Sequence, residues 1–153
     1  MISPVSREVI FSNLLTLLKT VQLPQPFPST WAMAGRKLLL WDDVPSGNQP
    51  ALFLHQGTQT ATQPTFPLNQ WNLKAQIWIY FRADGSSTQD TPPDKLVNLI
   101  LDAIDLTLTP TPGLDYQTLY GTVYHCMISG QIAFDSGLVD GQGVIVIPIE
   151  ILP

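Results

Sequence analysis

The chain has 153 residues, of which 44% are apolar and only 12% are charged, and its formal net charge is −5. This length predicts one domain, 1–153, whose core needs no metal or disulfide, and the single cysteine excludes an internal disulfide. The acidic balance and the scattered basic residues argue against sequence-specific nucleic-acid binding, and no apolar stretch approaches the roughly 20 residues of a membrane span.

The low charge has a consequence of its own. Typical globular domains carry about 25% charged residues, which is about twice the share found here. Burial of surface between copies is one physical remedy for a poorly charged chain, so the composition favours an obligate assembly.

The first predicted element is a helix over residues 4–21. Ser3 is expected to cap it, and Pro4 suits its first turn. Its apolar residues recur at three- and four-residue steps on one stripe: Ile10, Leu14, Leu17, Leu18 and Val21. Prolines at every second position from Pro24 to Pro28 then predict a stiff connector.

Two apolar strands are predicted over 36–41 and 50–55, paired antiparallel across the turn-forming residues between them. The stretch 56–70 is rich in Thr and Gln and has no charge and no usable periodicity. Long segments of this kind inside compact domains are usually functional or disordered. We expect a long polar hairpin arm that leads into the next strand.

The clearest pattern in the chain is the strict alternation over 71–82, which predicts a strand with one face in the core. The expected core face is Trp71, Leu73, Ala75, Ile77, Ile79 and Phe81. The other face is Asn72, Lys74, Gln76, Trp78, Tyr80 and Arg82. Large aromatic side chains are costly to expose and tend to mark protein contacts, so this second face predicts a contact surface.

A second helix is predicted from a Thr91 cap to a stop before Pro110, with Asp94 near its positive end. Its expected buried stripe is Leu96, Leu99, Ile100, Ala103 and Ile104. The fold class that follows is α+β, with a mostly antiparallel sheet, two helices packed on one face and a long hairpin arm.

The last third of the chain is predicted to be strand. Residues 118–135 should form one long strand, bent near Gly121 and Gly130. The side chains expected on one face of this strand are Tyr124, Cys126, Ile128, Ile132 and Phe134. The closing strand, 143–152, should bury Ile145, Ile147, Ile149 and Ile151, while Pro148 predicts an edge or one-sided pairing.

The polar residues suggest no site for chemistry. His125 and Cys126 are neighbours in a strand and point to opposite faces, so they cannot form a nucleophile–base pair. Cys126 is expected to be a buried structural thiol, and His55 a surface side chain or one with its hydrogen bonds satisfied. Asp42-Asp43 and the segment 135–143 are read as turns, not as metal loops. We therefore predict no catalytic, cofactor-binding or metal-ligating residue, and no enzymatic activity.

The order of elements resembles that of the tail terminator (tail-completion) proteins of long-tailed bacteriophages, the lambda-type minor tail proteins. The likeness covers nearly the full chain, including the closing block from Gly121 to Leu152. It is carried by Val9-Ile-Phe-Ser-Asn-Leu-Leu, Leu39-Leu-Trp-Asp-Asp-Val-Pro, Gln49-Pro-Ala-Leu-Phe-Leu, Ile77-Trp-Ile-Tyr-Phe-Arg-Ala-Asp and Leu101-Asp-Ala-Ile-Asp.

The resemblance implies a virion protein, assembled in the host bacterial cytoplasm, that forms a hexameric ring on the tail tube. Its partners would be further copies of the chain, the tail tube protein and a head-completion or connector protein, with no cofactor, no membrane and no specific nucleic acid. The expected contact residues are Trp78, Tyr80, Arg82, Gln59, Thr62 and Phe66. Two alternatives stay open: another neck protein of the head–tail connector, or a ligand-binding or enzymatic domain whose aromatics line a pocket.

Overall fold

The computed structural model describes residues 5–65, 68–83, 89 and 92–153. Its elements are α1 (Arg7–Leu18), β1 (Met33–Gly35), β2 (Ala51–Thr65), β3 (Leu68–Arg82), α2 (Pro93–Leu108), β4 (His125–Ile128), β5 (Ala133–Asp135) and β6 (Gln142–Leu152). None of the described helices is long and apolar enough to cross a membrane.

The strands form a six-stranded sheet in the order β1-β2-β3-β6-β4, and β5 also pairs with β6. β1 is parallel to β2, whereas the pairs β2–β3, β3–β6, β4–β6 and β5–β6 are antiparallel. The predicted α+β class with a mostly antiparallel sheet is confirmed.

One face of the sheet carries the main core, and both helices pack against it. On β3 the predicted core face is buried from Leu73 to Phe81, while Trp71 is half-buried. On β6 all four predicted isoleucines are buried. The alternation predicted both strands correctly because burying one face of a strand places every second side chain in the core.

The opposite face of the sheet holds a second, smaller cluster made of Val44, Ala51, Phe53 and Tyr80. The segment 38–44 covers it, with Leu38, Leu39 and Trp41 packed against it. The predicted strand over 36–41 is therefore wrong. These apolar side chains pack against the sheet face, and their backbone joins no strand pair. The strand that pairs with the start of β2 is β1, and this pair is parallel.

Both helices form within their predicted ranges, but their first residues differ, and α1 ends at Leu18 although it was predicted to reach residue 21. The cap of α1 is Ser6, whose hydroxyl accepts the Val9 amide at 3.1 Å. Ser3 and Pro4 lie outside the described residues, as does Thr91, and Pro92 takes the capping position of α2. The buried residues of α2 are Pro93, Val97, Ile100, Ala103, Ile104 and Leu108.

The predicted long strand over 118–135 is wrong. A left-handed turn comes first, with φ of 48° at Leu119, 62° at Tyr120 and 83° at Gly121. Two short strands, β4 and β5, follow it. Cys126 is buried as predicted. Tyr124 and Phe134, which were expected on the same face as Cys126, are 58% and 54% exposed.

Pro148 lies at the position where β6 changes its partner strand on one side of the sheet. On one side it faces Gln76 of β3. On the other it falls between the part of β6 that pairs with β4 and the part that pairs with β5. Its carbonyl accepts the Ser129 amide at 3.1 Å, and its missing N–H belongs to the same side. The predicted one-sided pairing is confirmed, although β6 is not an edge strand.

Candidate protein-contact surfaces

The β2–β3 hairpin is longer than the sheet that supports it. Its ladder runs from Ala51 opposite Tyr80 to Thr65 opposite Leu68, whereas β6 pairs with β3 only from Leu73 to Arg82. Residues 57–65 and 68–72 therefore form a two-stranded ribbon beyond the sheet, here termed the arm. The predicted hairpin arm is confirmed.

The composition of the arm is unusual for an exposed ribbon. A two-stranded ribbon is marginally stable in water, and exposed strand edges are normally protected by charge. The chain carries no charged residue from Gln56 to Gln70. Beyond Phe53, no described strand pairs with the outer edge of β2. These properties are typical of a segment that contacts another protein.

A bulge shapes the root of the arm, where the ladder shifts register between Gln56 and Gln59. Gly57 lies in this shift, and a Cβ there would come within 3.2 Å of the Lys74 carbonyl oxygen. Glycine allows the two backbones to approach, and the extra residue increases the local twist of the ribbon.

α1 braces the arm at the same point. The Arg7 Nε donates to Gln59 Oε1 at 2.6 Å, and the Arg7 guanidinium lies 4.7 Å from the centre of the Trp71 ring. Gln59, one of the predicted contact residues, is therefore engaged within the chain. Phe66 lies outside the described residues, and the side chain of Thr62 lies outside those that the structure describes.

The three predicted contact residues on β3 have different environments. Trp78 is half-buried and its Nε1 donates to Gln76 Oε1 at 3.1 Å. Arg82 is exposed, with its guanidinium 5.6 Å from the centre of the Trp41 ring. Tyr80 is only 5% exposed.

Tyr80 has almost no surface left for a partner, because its own chain covers it. Its ring packs edge-on against Trp41 and Phe53, at centroid distances of 5.4 and 5.6 Å. Its hydroxyl donates to the Leu39 carbonyl at 2.7 Å, and burial raises the pKa of Tyr80. The expectation of an open aromatic surface is corrected at this position: Tyr80 anchors the segment 38–44.

The residues considered for chemistry are held in structural roles. Cys126 is 1% exposed, as a structural thiol should be, and burial raises its pKa to about 12. His125 Nδ1 accepts the Gln117 amide at 3.2 Å. Among the described residues, no three His, Cys, Asp or Glu side chains come together as metal ligands would.

The segment 135–143 is a tight turn built by its own carboxylates. Asp135 Oδ1 accepts the Gly137 amide and Asp140 Oδ1 accepts the Gln142 amide, each at 2.9 Å. Such Asx turns fix a loop without any ion. The turn displays Leu138 and Val139, which are 74% and 97% exposed.

A surface that the sequence analysis missed lies beside β4. Tyr116 packs against Tyr124 and His125, with ring centroids 4.8 and 4.9 Å apart. Tyr120 lies in the left-handed turn, four residues before Tyr124 in the chain, and is 60% exposed. We call Tyr116, Tyr120 and Tyr124 the tyrosine patch. The signal in the sequence is Gly121, because this glycine ends a left-handed turn and does not bend a strand.

An open depression lies at the other end of the strand order, beside β1 and β2. It has a volume of about 570 Å³ and is lined by Glu8, Arg36, Lys37, His55 and Gln56. Arg36 forms an ion pair with Glu8, and its Nη2 donates to Gln56 Oε1 at 2.7 Å. This ion pair holds the pKa of Glu8 below its usual value. The exposed His55 matches its prediction as a surface side chain.

No protein-family model matches the chain, and no curated protein matches it.

Proposed function

We propose that the protein is a structural subunit of a phage or prophage particle, and specifically a tail terminator. Copies of the chain would form a ring at the head-proximal end of the tail tube, stop its growth and support joining to the head. The proposal rests on the resemblance of the sequence to that family, and the arm is the structural observation that supports it best.

The arm supports this role because it is a preformed strand pair that extends beyond the rest of the sheet. Its strands carry no charged residue, and among the described strands none pairs with the outer edge of β2 beyond Phe53, so a neighbour that pairs or packs along this edge meets no charge repulsion. Because the strand pair is already formed, its packing against a neighbour costs little further conformational entropy.

A ring also fits the low charge of the chain. Each subunit in a closed ring buries two surfaces, one against each neighbour, and a head-to-tail contact closes when its rotation divides a full turn. A closed ring adds no further copies of itself along the tube, which is the property that a terminator needs.

The test combines light scattering with binding to tube ends. We expect the purified protein to form a ring-sized particle and to bind tubes of its own tail tube protein at one end by electron microscopy. A double variant with Thr58→Lys and Thr60→Lys places two charges on exposed arm positions and should weaken assembly at least tenfold.

The matched control is Thr16→Lys with Thr20→Lys, which adds the same charge at exposed positions in and just after α1. This control should assemble like the unmodified chain. A protein that stays monomeric at every concentration, with no binding to tube ends, would contradict the proposed function.

A further inference from the structure

The two ends of the strand order carry surfaces of opposite character. At the β4 end lies the tyrosine patch, whose members Tyr116, Tyr120 and Tyr124 are 42%, 60% and 58% exposed. Tyrosine is enriched in protein contacts because its ring gives apolar area at low entropy cost while its hydroxyl stays polar.

The backbone holds this patch outward. Leu119 is fully buried and Tyr120 follows it, both in the left-handed region that non-glycine residues seldom adopt. The turn is fixed by the Thr122 and Val123 amides, which donate to the Thr118 carbonyl at 2.9 and 3.1 Å. With its neighbour anchored in the core, Tyr120 projects from a rigid turn. A strained backbone that displays an aromatic side chain is a feature typical of binding sites.

The part of the chain that carries the tyrosine patch has acidic charges only. From Leu96 to Pro153 the chain contains six Asp or Glu residues and no Lys or Arg. Its contact with Tyr124 is the main cause that raises the pKa of Tyr116, and the charge of Asp115, its neighbour in the chain, raises it further. A partner for this surface should therefore present cations that can lie against aromatic rings.

The open depression at the β1–β2 end has that chemistry. Arg36 is held in place by Glu8 and Gln56, so its guanidinium is already oriented. Lys37 is exposed, and no hydrogen bond or ion pair of the described residues engages it. With His55 in the same lining, the depression presents cationic and aromatic groups to a protruding ring.

We propose that the tyrosine patch of one copy seats in the depression lined by Arg36, Lys37 and His55 of the next copy. The two surfaces differ and lie at opposite ends of the order β1-β2-β3-β6-β4. The contact is therefore head-to-tail and leaves one of each surface free for a further copy. Its closure into a ring rests on the proposed function, whereas the contact itself is a property of this chain.

The test uses two variants that each lose one side of the contact. The first carries Tyr120→Ser and Tyr124→Ser, and the second carries Lys37→Glu; all three side chains are exposed, so the fold should be retained. Sedimentation velocity should show that each variant alone associates at least tenfold more weakly than the unmodified chain. An equimolar mixture should form a dimer and nothing larger, because only one intact pair of surfaces remains.

Matched controls are Leu106→Ser, which removes an apolar side chain that is 76% exposed on α2, and Lys19→Glu, which reverses an exposed charge after α1. Both should assemble normally. The inference is wrong if the unmodified chain assembles and the two variants assemble equally tightly. It is also wrong if the mixture of the two variants forms no dimer. In both cases the proposed ring function is not affected. If the unmodified chain never associates, both fail.

Discussion

Gly143 leaves the space that the ring of Phe81 fills. The two residues face each other across the β3–β6 ladder. A Cβ on Gly143 would lie 2.3 to 2.5 Å from three carbons of that ring, which is far inside van der Waals contact. Phe81 is fully buried and packs edge-on against Phe27 at a centroid distance of 6.2 Å, so the ring has no free space to move into.

We therefore expect Gly143→Ala to destabilise the fold by overpacking. Extra carbon in a packed core typically costs about 1–3 kcal/mol, and the lower entropy of alanine in the unfolded chain returns part of this. A net loss of about 2 kcal/mol corresponds to a fall in Tm of about 4–8 °C for a domain of this size. Gly143 is not among the glycines with positive φ, so the loss would come from the contact and not from the backbone.

Urea unfolding measures this change, with Gly47→Ala as the matched control because no atom lies within 4 Å of a Cβ there. A double-mutant cycle with Phe81→Leu then isolates the pair. Leucine lacks the ring, so Gly143→Ala should cost about 1 kcal/mol less in that background. Stability of Gly143→Ala equal to that of the unmodified chain, or simple additivity in the cycle, would refute the reasoning.

Three further outcomes are expected. Tyr80→Phe removes the donor to Leu39 and should lower the unfolding free energy by about 1 kcal/mol, whereas Tyr124→Phe should change it by less than about 0.5 kcal/mol. Arg7→Ala removes the brace of the arm, so hydrogen exchange should speed up in the arm while Tm hardly moves; unchanged exchange would count against the brace. Burial raises the pKa of Cys126 to about 12, whereas the thiol of the unfolded chain ionises at about pH 8.5. Between these two values only the unfolded chain loses the proton, so the free energy of unfolding should fall as pH rises. This fall should be absent in Cys126→Ala.

The sequence predicted those parts of the fold in which one face of an element is buried along its length. β3 and β6 alternate without interruption because the same helices cover both strands. The apolar run over 36–41 has no such alternation, and periodicity alone does not say whether it pairs with a strand or covers one. It covers the second face, and that contact depends on residues far away in the sequence.

The candidate surfaces were predictable in part for the same reason. The arm was found because a long uncharged stretch stands between two strand patterns. Tyr80 could not be assigned, since its burial depends on the segment 38–44, which lies about forty residues earlier. The tyrosine patch depends on a left-handed turn at two non-glycine residues, a conformation that their side chains do not favour.

The arginines bear on the proposed contact between copies of the chain. All three lie over aromatic rings of the same molecule: Arg7 over Trp71, Arg36 over Phe11 and Arg82 over Trp41. Their guanidinium groups thus cover apolar ring surface and keep their positive charge. Of the two cations that line the open depression, Arg36 is paired with Glu8, whereas Lys37 has no ion-pair partner among the described residues. A neighbour that brings an acidic aromatic surface to this lysine would satisfy both the exposed rings and the unpaired charge in a single contact.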